Sequence, residues 1–395
     1  MRLVAALAAT VALAGSAPSA APVVGFDWSH RRIAWFDPVT LSQLPGRKVP
    51  TSSQGVCSWA LSPDRARLAY SDCNGTIGFA NLRAMKPAGS MYVTGRLGSV
   101  DGLAWLRPDR LLATGHVDTG TTLLVIDPVK RKILRRVPLG RQTWGRSVVG
   151  DRSVYLLAPW GSYAPAQVAV ANADGDVRTV TVDRITVGTI VDDADKGDPD
   201  SHTRGAGFAV DPAGGHAYVV SPDLLVADVD LATLSVDYHG PTRVLAKSVD
   251  GPTRYARWLG GGLLAVSGAD WTTSGTGASR TSVATPYGLH IVDTRTWTVR
   301  TVDAQTDWFR AGPGVMIVER GPYGADHSAV AYGLDGRERY RVALPPEGWY
   351  DVPGAYGYVC AKDALVRVLD AATGAEVASP RGRSCVLLLT DEAAG

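Results

Sequence analysis

Short apolar segments alternate with turn-forming sequences along nearly all of the 395-residue chain. In one recurring pattern, an apolar segment ends in Asp and is followed by two residues, a Thr and a second apolar segment, as at Asp230 and Thr233. An Asp that opens a turn accepts hydrogen bonds from the backbone N–H groups after it, so the pattern predicts β-hairpins with a structural Asp. The same turn occurs at Asp37, Asp293 and Asp370, and at Asp127 with Lys in place of Thr.

A second pattern joins two apolar segments through a Pro-Asp or Asp-Pro turn. It occurs at Pro63 and Asp64, at Pro108 and Asp109, and at Asp211 and Pro212. The segment after each turn is rich in residue types that proteins bury, and neither flank shows a helical period. With 44 glycines and 24 prolines placed throughout, the chain is predicted to form short strands and turns, which is an all-β fold.

The two patterns alternate, and together they define four-stranded units. We place units at residues 55–93, 99–140, 145–183, 205–247, 254–305, 306–345 and 350–380. Their spacing of roughly 40 to 60 residues is typical of β-propeller blades. A leftover hairpin at 31–50 and a leftover strand at 384–389 can form a composite blade, so that pairing of the N- and C-terminal segments closes the ring.

The prediction is therefore a single β-propeller domain over residues 23–390, with seven or eight four-stranded blades. The unit count gives eight, and seven would follow if one unit is misassigned. An open array of β-sandwiches is the structural alternative.

These units resemble the YVTN and WD40-like class of secreted bacterial β-propellers. The resemblance lies in the turn at Ser62, Pro63 and Asp64, in the Asp-x-x-Thr turns, and in the closing segment from Asp370 to Gly374. The combination of Gly-His and Trp-Asp that marks true WD40 blades is absent, and so is the repeated di-glycine pattern of kelch blades. The resemblance implies a binding platform more than one particular chemistry, because such folds carry many functions.

The N-terminus has the features of a secretory signal. Arg2 precedes an apolar run at 3–14, and small residues follow as far as Ala21. We expect residues 1–21 to be a cleaved signal peptide, with a buried N-terminal helix as the alternative. The apolar run is short for a bilayer span, and no second long run follows. We therefore expect a secreted, extracellular or cell-envelope protein without a membrane span in the mature chain.

Four cysteines suit an oxidising compartment and allow three disulfide connectivities. Folding residues 55–61 onto 67–73 as a hairpin places Cys57 opposite Cys73. Cys360 then pairs with Cys385 by exclusion and clasps the C-terminal strand to the last blade. A metal site is the alternative, but no C-x-x-C spacing is present.

Charge and composition narrow the partners. Hydrophobic residues make up 45% of the chain and the mean hydropathy is +0.01, which is typical of a globular protein. The net charge is +2 without a run of Lys or Arg, so we expect no nucleic-acid partner. We expect a monomer that binds an extracellular ligand or protein.

Arg residues beside aromatic residues recur where the chain leads into each innermost strand. Propeller geometry directs such segments to one channel mouth, where an Arg fork and aromatic faces would bind an anionic or sugar-like ligand or a peptide carboxylate. The alternative is that the aromatic residues pack between blades and the Arg residues pair with Asp. The candidate ligand-binding residues are Trp144, Arg146, Arg204, Tyr255, Arg257, Trp308, Arg310 and Tyr350.

The long loops at 158–167, 268–288 and 319–328 carry further aromatic residues and are candidate recognition loops. One insertion is acidic: Asp193, Asp195 and Asp198 are candidate Ca²⁺ ligands because oxygen donors at short spacing suit that ion. The spacing is not that of an EF-hand, and a solvated acidic loop is the alternative. No other cofactor is expected.

Linear catalytic motifs are absent from the sequence. None of the seven histidines lies in an H-E-x-x-H motif, and G-x-S-x-G and G-x-G-x-x-G motifs are missing. The sequence therefore favours a secreted, non-enzymatic binding protein. The alternative is a propeller enzyme such as a lactonase, a lyase or a quinoprotein-like oxidoreductase, whose active-site residues come from separate blades without a linear motif.

Overall fold

The strands of the computed structural model account for nearly all of its regular structure. It describes residues 21–51, 55–72, 74–93, 97–117, 120–190, 202–240, 250–275, 279, 281–321, 327–362, 364–380 and 383–389. The predicted signal peptide up to residue 20 and the acidic residues Asp193, Asp195 and Asp198 lie outside the described residues. Within these ranges, no helix is long and apolar enough to cross a membrane.

The strands of the N-terminal half, in chain order, are β1 (Val23–Asp27), β2 (Arg32–Phe36), β3 (Val49–Pro50), β4 (Ser58–Leu61), β5 (Arg67–Ser71), β6 (Thr76–Asn81), β7 (Lys86–Tyr92), β8 (Gly102–Arg107), β9 (Arg110–Val117), β10 (Gly120–Asp127), β11 (Lys132–Pro138), β12 (Gln142–Val149), β13 (Arg152–Ala158), β14 (Ala164–Asn172), β15 (Val177–Thr189) and β16 (Thr203–Arg204).

The strands that follow are β17 (Gly207–Asp211), β18 (His216–Val220), β19 (Val226–Asp230), β20 (Val236–His239), β21 (Gly251–Gly260), β22 (Leu263–Ser274), β23 (Thr281–Pro286), β24 (Leu289–Asp293), β25 (Thr298–Asp303), β26 (Arg310–Gly312), β27 (Val315–Arg320), β28 (His327–Gly333), β29 (Glu338–Leu344), β30 (Gly348–Asp351), β31 (Tyr356–Ala361), β32 (Ala364–Asp370), β33 (Glu376–Ala378), β34 (Arg383–Ser384) and β35 (Val386–Leu388).

These strands form eight antiparallel sheets, which are the eight blades of a β-propeller. Seven blades are continuous in sequence: β4–β7, β8–β11, β12–β16, β17–β20, β21–β25, β26–β29 and β30–β34. In each of them the first strand is innermost. The count of eight predicted from the repeats is confirmed, and each predicted unit coincides with one continuous blade.

The eighth blade is built from both ends of the chain. Its strand order is β3-β2-β1-β35, so the C-terminal strand β35 is innermost and pairs with the N-terminal β1. Gly25 lies opposite Leu388, and the Leu389 N–H donates to the Val24 carbonyl at 2.9 Å. A Cβ at Gly25 would overlap with the Val386 side chain, so this close approach requires glycine. The predicted closure by the two terminal segments is confirmed.

Apolar clusters fill the space between neighbouring blades. Six clusters each join two consecutive blades of the β4–β34 series. The seventh cluster holds Phe26 and Ile33 of the closing blade, Leu68 of the β4–β7 blade and Val368 of the β30–β34 blade, all fully buried. The apolar core therefore continues around the whole ring, and fully burying a side chain of this size contributes about 1.5–3 kcal/mol.

The Asp-x-x-Thr turns have the predicted hairpin chemistry. The Asp230 carboxylate accepts hydrogen bonds from the backbone N–H of Ala232 at 2.8 Å and of Thr233 at 2.7 Å. The bonds from the Thr233 N–H and hydroxyl hold the pKa of Asp230 below its ordinary value. The residue after Thr233, Leu234, has φ 63° and donates its N–H to the Asp230 carbonyl. The last such hairpin has Gly374 at the same place, with φ 71°.

A disulfide fastens the closing strand to the preceding blade. Cys360 of β31 is bonded to Cys385, directly before β35, with the two Cα atoms 6.2 Å apart. This pair was predicted from the sequence and is confirmed. Cys57 is also disulfide-bonded, and its predicted partner Cys73 lies outside the described residues.

We expect the double variant Cys360→Ala/Cys385→Ala to lose about 2–4 kcal/mol of unfolding free energy, because the bond restricts the unfolded chain. Urea unfolding of the oxidised protein measures this loss. The control Glu376→Ala/Ser379→Ala, on the same blade, should stay within about 0.5 kcal/mol of wild type. Equal midpoints for the cysteine variant and wild type would show that the bond does not stabilise the closure.

Candidate functional site

One face of the propeller collects two sets of loops, and we call it the loop face. It consists of the loops that lead into each innermost strand and the loops that join the second and third strands of each blade. Because the strands of a blade alternate in direction, both sets lie at the same end of the channel. The turns between the third and fourth strands lie at the opposite end.

Exposed aromatic side chains are concentrated on the loop face. Among the described residues, five Trp or Tyr side chains are more than two-fifths exposed: Trp28, Tyr92, Trp160, Tyr255 and Trp308. The loops β1–β2 and β13–β14 carry Trp28 and Trp160, and Tyr92 ends β7. Trp308 precedes β26, and Tyr255 lies in the half of β21 nearest the loop face. All five therefore share one surface.

Exposed aliphatic side chains are distributed differently. Ile190 and Val283 also lie on the loop face, but Val129 is in the β10–β11 turn at the opposite end. Leu134 and Val377 lie on outermost strands at the rim. Among the described residues, the exposed Trp and Tyr side chains are confined to the loop face, whereas exposed aliphatic side chains occur on several surfaces of the propeller.

A cavity of about 200 Å³ opens on the loop face between the β21–β25 and β26–β29 blades. It lies at the base of a hairpin that protrudes from the β21–β25 blade, formed by β23 and the far half of β22. Its volume is below the range of roughly 300–1,000 Å³ that is usual for small-molecule sites. The lining residues are Thr253, Tyr255, Ala269, Trp271, Asp307 and Trp308.

Arg310 supports the rim of this cavity. Its guanidinium lies 4.5 Å from the centre of the Trp308 ring and donates to the Glu319 carboxylate at 2.8 Å. It also donates to the Tyr350 carbonyl at 2.5 Å. The guanidinium therefore joins two neighbouring blades and holds Trp308 in place. The alternative interpretation from the sequence, that an Arg pairs with a neighbouring acid, describes this residue.

Of the sequence-predicted residues, Tyr350 lies in the apolar core and Trp144 is partly buried against it. Tyr350 is fully buried, and its hydroxyl is 3.2 Å from that of Tyr340. Burial and this neighbouring hydroxyl raise the pKa of Tyr350 well above its ordinary value. Trp144 sits at a bulge in β12 and packs against the core between the β12–β16 and β17–β20 blades. The structure does not bring these two side chains to the cavity.

The remaining Arg residues of the predicted set are spread around the ring. The Arg204 guanidinium lies 5.5 Å from the centre of the Tyr163 ring and does not line the cavity. Arg257 is half-buried in β21, two residues after Tyr255 and on the same side of the strand. Arg146 lies in β12, on a different blade from the cavity. Of the predicted set, the structure therefore brings Tyr255, Trp308 and Arg310 together at the cavity.

Sequence analysis missed the structural importance of Arg254. Its side chain is 2% exposed and donates to the Asp270 carboxylate and to the Pro222 carbonyl, both at 2.6 Å. The guanidinium also lies 3.8 Å from the centre of the Tyr287 ring. The residue joins the β18–β19 loop to the neighbouring blade. The sequence signal for its burial was the alternation of side chains along β21: residues 254 and 255 face opposite sides of the strand, so they cannot both face the same surface.

The described ranges contain no group of three or more His, Cys, Asp or Glu side chains that could hold a metal ion. The acidic residues proposed as Ca²⁺ ligands are outside those ranges, so the Ca²⁺ site stays a prediction.

Comparisons with known proteins support the fold. No protein-family profile and no curated protein matches the sequence. Among solved structures, the chain is similar to the dihydro-heme d1 dehydrogenase NirN in complex with DHE, with a TM-score of 0.58 and 10% identity over 94% of this chain and 73% of that chain.

Two further structures are similar over most of their length. Sqt1 of Saccharomyces cerevisiae has a TM-score of 0.52 and 12% identity, covering 85% of this chain and 86% of that chain. BamB from Moraxella catarrhalis has a TM-score of 0.50 and 11% identity, covering 89% and 92%. These neighbours are β-propeller proteins, and at such identities they show the fold alone.

We expect Arg254→Ala to cost about 3–5 kcal/mol of unfolding free energy, because it breaks the buried ion pair with Asp270 and removes the hydrogen bond to the Pro222 carbonyl. Arg204→Ala is the matched control: it removes an Arg–aromatic contact in a less buried setting and should cost about 0.5–1 kcal/mol. Urea unfolding of both variants tests the difference. Similar small losses would contradict the role given to Arg254.

Proposed function

We propose that this chain is a secreted, non-enzymatic binding protein whose loop face binds a protein partner. The observation that carries the proposal is the confinement of all five exposed Trp and Tyr side chains, among the described residues, to that face. Tyr and Trp are enriched in protein interfaces and dominate their binding energy.

The spacing of these residues favours a large partner over a small ligand. They lie on five different blades: the closing blade and those that contain β7, β13, β21 and β26. A small ligand in the cavity could contact only Tyr255 and Trp308 of the five. A protein that covers the loop face could contact all of them, and each aromatic side chain offers 150–250 Å² of surface to bury.

The cavity has a defined role in this proposal. Tyr255, Trp271 and Trp308 surround a volume suited to one side chain of the partner, and Arg310 holds Trp308 in position. Interface hot spots are commonly well-packed pockets of this kind, surrounded by weaker contacts. We propose that the cavity binds an anchor side chain and that Trp28, Tyr92 and Trp160 form the surrounding contacts.

The disulfide between Cys360 and Cys385 supports an oxidising compartment. Together with the signal-like N-terminal sequence, it supports a location outside the cytoplasm. The net charge of +2 favours a protein partner over a nucleic acid.

Affinity capture with matched variants tests the proposal. The immobilised mature protein is incubated with the envelope and secreted fractions of its source cells, and bound proteins are quantified by mass spectrometry. The face variant is Trp28→Ser/Tyr92→Ser/Trp160→Ser. The control, Val129→Ser/Leu134→Ser/Val377→Ser, removes the same number of exposed apolar side chains away from the loop face. Circular dichroism confirms that both variants are folded.

We expect wild type and control to recover the same specific protein and the face variant to recover at least about tenfold less of it. A tenfold loss corresponds to about 1.4 kcal/mol, which the three lost aromatic contacts need to supply only in sum. Equal recovery by the face variant would overturn the proposal. So would the failure of wild type to recover any protein above a blank support.

A further inference from the structure

Arg146 lies in a crevice between two blades. It belongs to β12, the innermost strand of its blade, and its guanidinium reaches β8, the innermost strand of the neighbouring blade. A Cβ on Gly102 would overlap with Nη1 of Arg146. The guanidinium therefore occupies space that exists only because residue 102 has no side chain. Since Gly102 begins β8, the crevice is near the loop-face end of the channel.

Two of the three nitrogens of the Arg146 guanidinium are buried without a hydrogen-bond partner among the described residues. Its Nε and Nη1 atoms are out of contact with solvent and make no hydrogen bond in the described part of the chain. Burial lowers the pKa of Arg146, but an Arg side chain stays charged in proteins. Arg254, which is more deeply buried than Arg146, is bonded to Asp270. A buried charge without a partner is unfavourable, and a bound anion would relieve this cost.

The nearest carboxylate is already engaged. Asp101 accepts a hydrogen bond from the Ser99 hydroxyl at 2.5 Å through one oxygen and lies 3.3 Å from Nε2 of His116 through the other. Asp101 acts on Arg146 at longer range, without an ion pair within 4 Å among the described residues. The Tyr155 side chain on the adjacent strand is fully buried and carries no charge at neutral pH.

We propose that Arg146 is the anchor of an oxyanion site in the crevice between β8 and β12. The planar guanidinium fork suits a carboxylate, sulfate or phosphate group. The site takes a small anion or an anionic group of a larger ligand, and it is independent of the aromatic residues of the loop face.

Thermal unfolding with added anions tests the site. Sodium acetate and sodium sulfate are titrated against chloride at constant ionic strength. Sulfate stabilises proteins generally by exclusion from their surface, so matched variants isolate specific binding. Arg146→Gln removes the anchor, and Arg136→Gln removes the same charge from an exposed position on the outermost strand β11.

We expect wild type and Arg136→Gln to show a saturable rise in Tm that Arg146→Gln lacks. A response to acetate alone would identify a carboxylate site, and a response to sulfate would identify a site for tetrahedral oxyanions. Either result supports the proposal. Identical titrations for wild type and Arg146→Gln would overturn it.

A second variant separates ligand binding from a structural role. Arg146→Met keeps an unbranched apolar stem and removes the charged guanidinium. We expect its Tm in anion-free buffer to be no lower than that of wild type, and any rise to be about 2 °C or more. We also expect the saturable anion response to disappear. If Arg146 instead stabilises the fold by pairing with Asp101, Arg146→Met and Asp101→Asn will both lower the Tm, and the proposal fails.

Discussion

The pairing of β35 with β1 is the contact on which the rest of the molecule depends. Seven blades follow one another along the chain, but the eighth forms only when Val386 and Leu388 reach Asp27 and Gly25. This contact completes the apolar cluster that joins the first and last continuous blades. Without it, β1 would be an unpaired strand edge, and such edges favour aggregation. The disulfide between Cys385 and Cys360 fastens the closing strand to the preceding blade, beside β1.

Closure also determines where recognition can occur. In a closed ring, every innermost strand begins at the same end of the channel, so loops far apart in sequence form one surface. Trp28 and Trp308 are separated by 280 positions in the chain and still share the loop face. The exposed aromatic residues, the cavity and the Arg146 crevice all lie at or near this end.

The repeat pattern was sufficient to predict the architecture. Turn chemistry at Asp230 and its counterparts located the hairpins, and the leftover strand at 384–389 predicted the composite blade. The side-chain positions were harder to predict because several of the segments that lead into the innermost strands are themselves strands, in which alternate side chains face opposite sides. In β30, Tyr350 is fully buried, whereas the adjacent Trp349 is only partly buried. The bulge at Trp144 in β12 leaves no mark in the sequence.

Photo-crosslinking tests whether the loop face is the binding surface. A photoreactive residue replaces Tyr92, which is 72% exposed on the loop face, or Val129, which is 63% exposed at the opposite end. Each protein is produced in its source cells, irradiated and analysed for crosslinked species. The account predicts a discrete crosslinked partner from position 92 and none from position 129. A partner captured from position 129 and not from position 92 would contradict it.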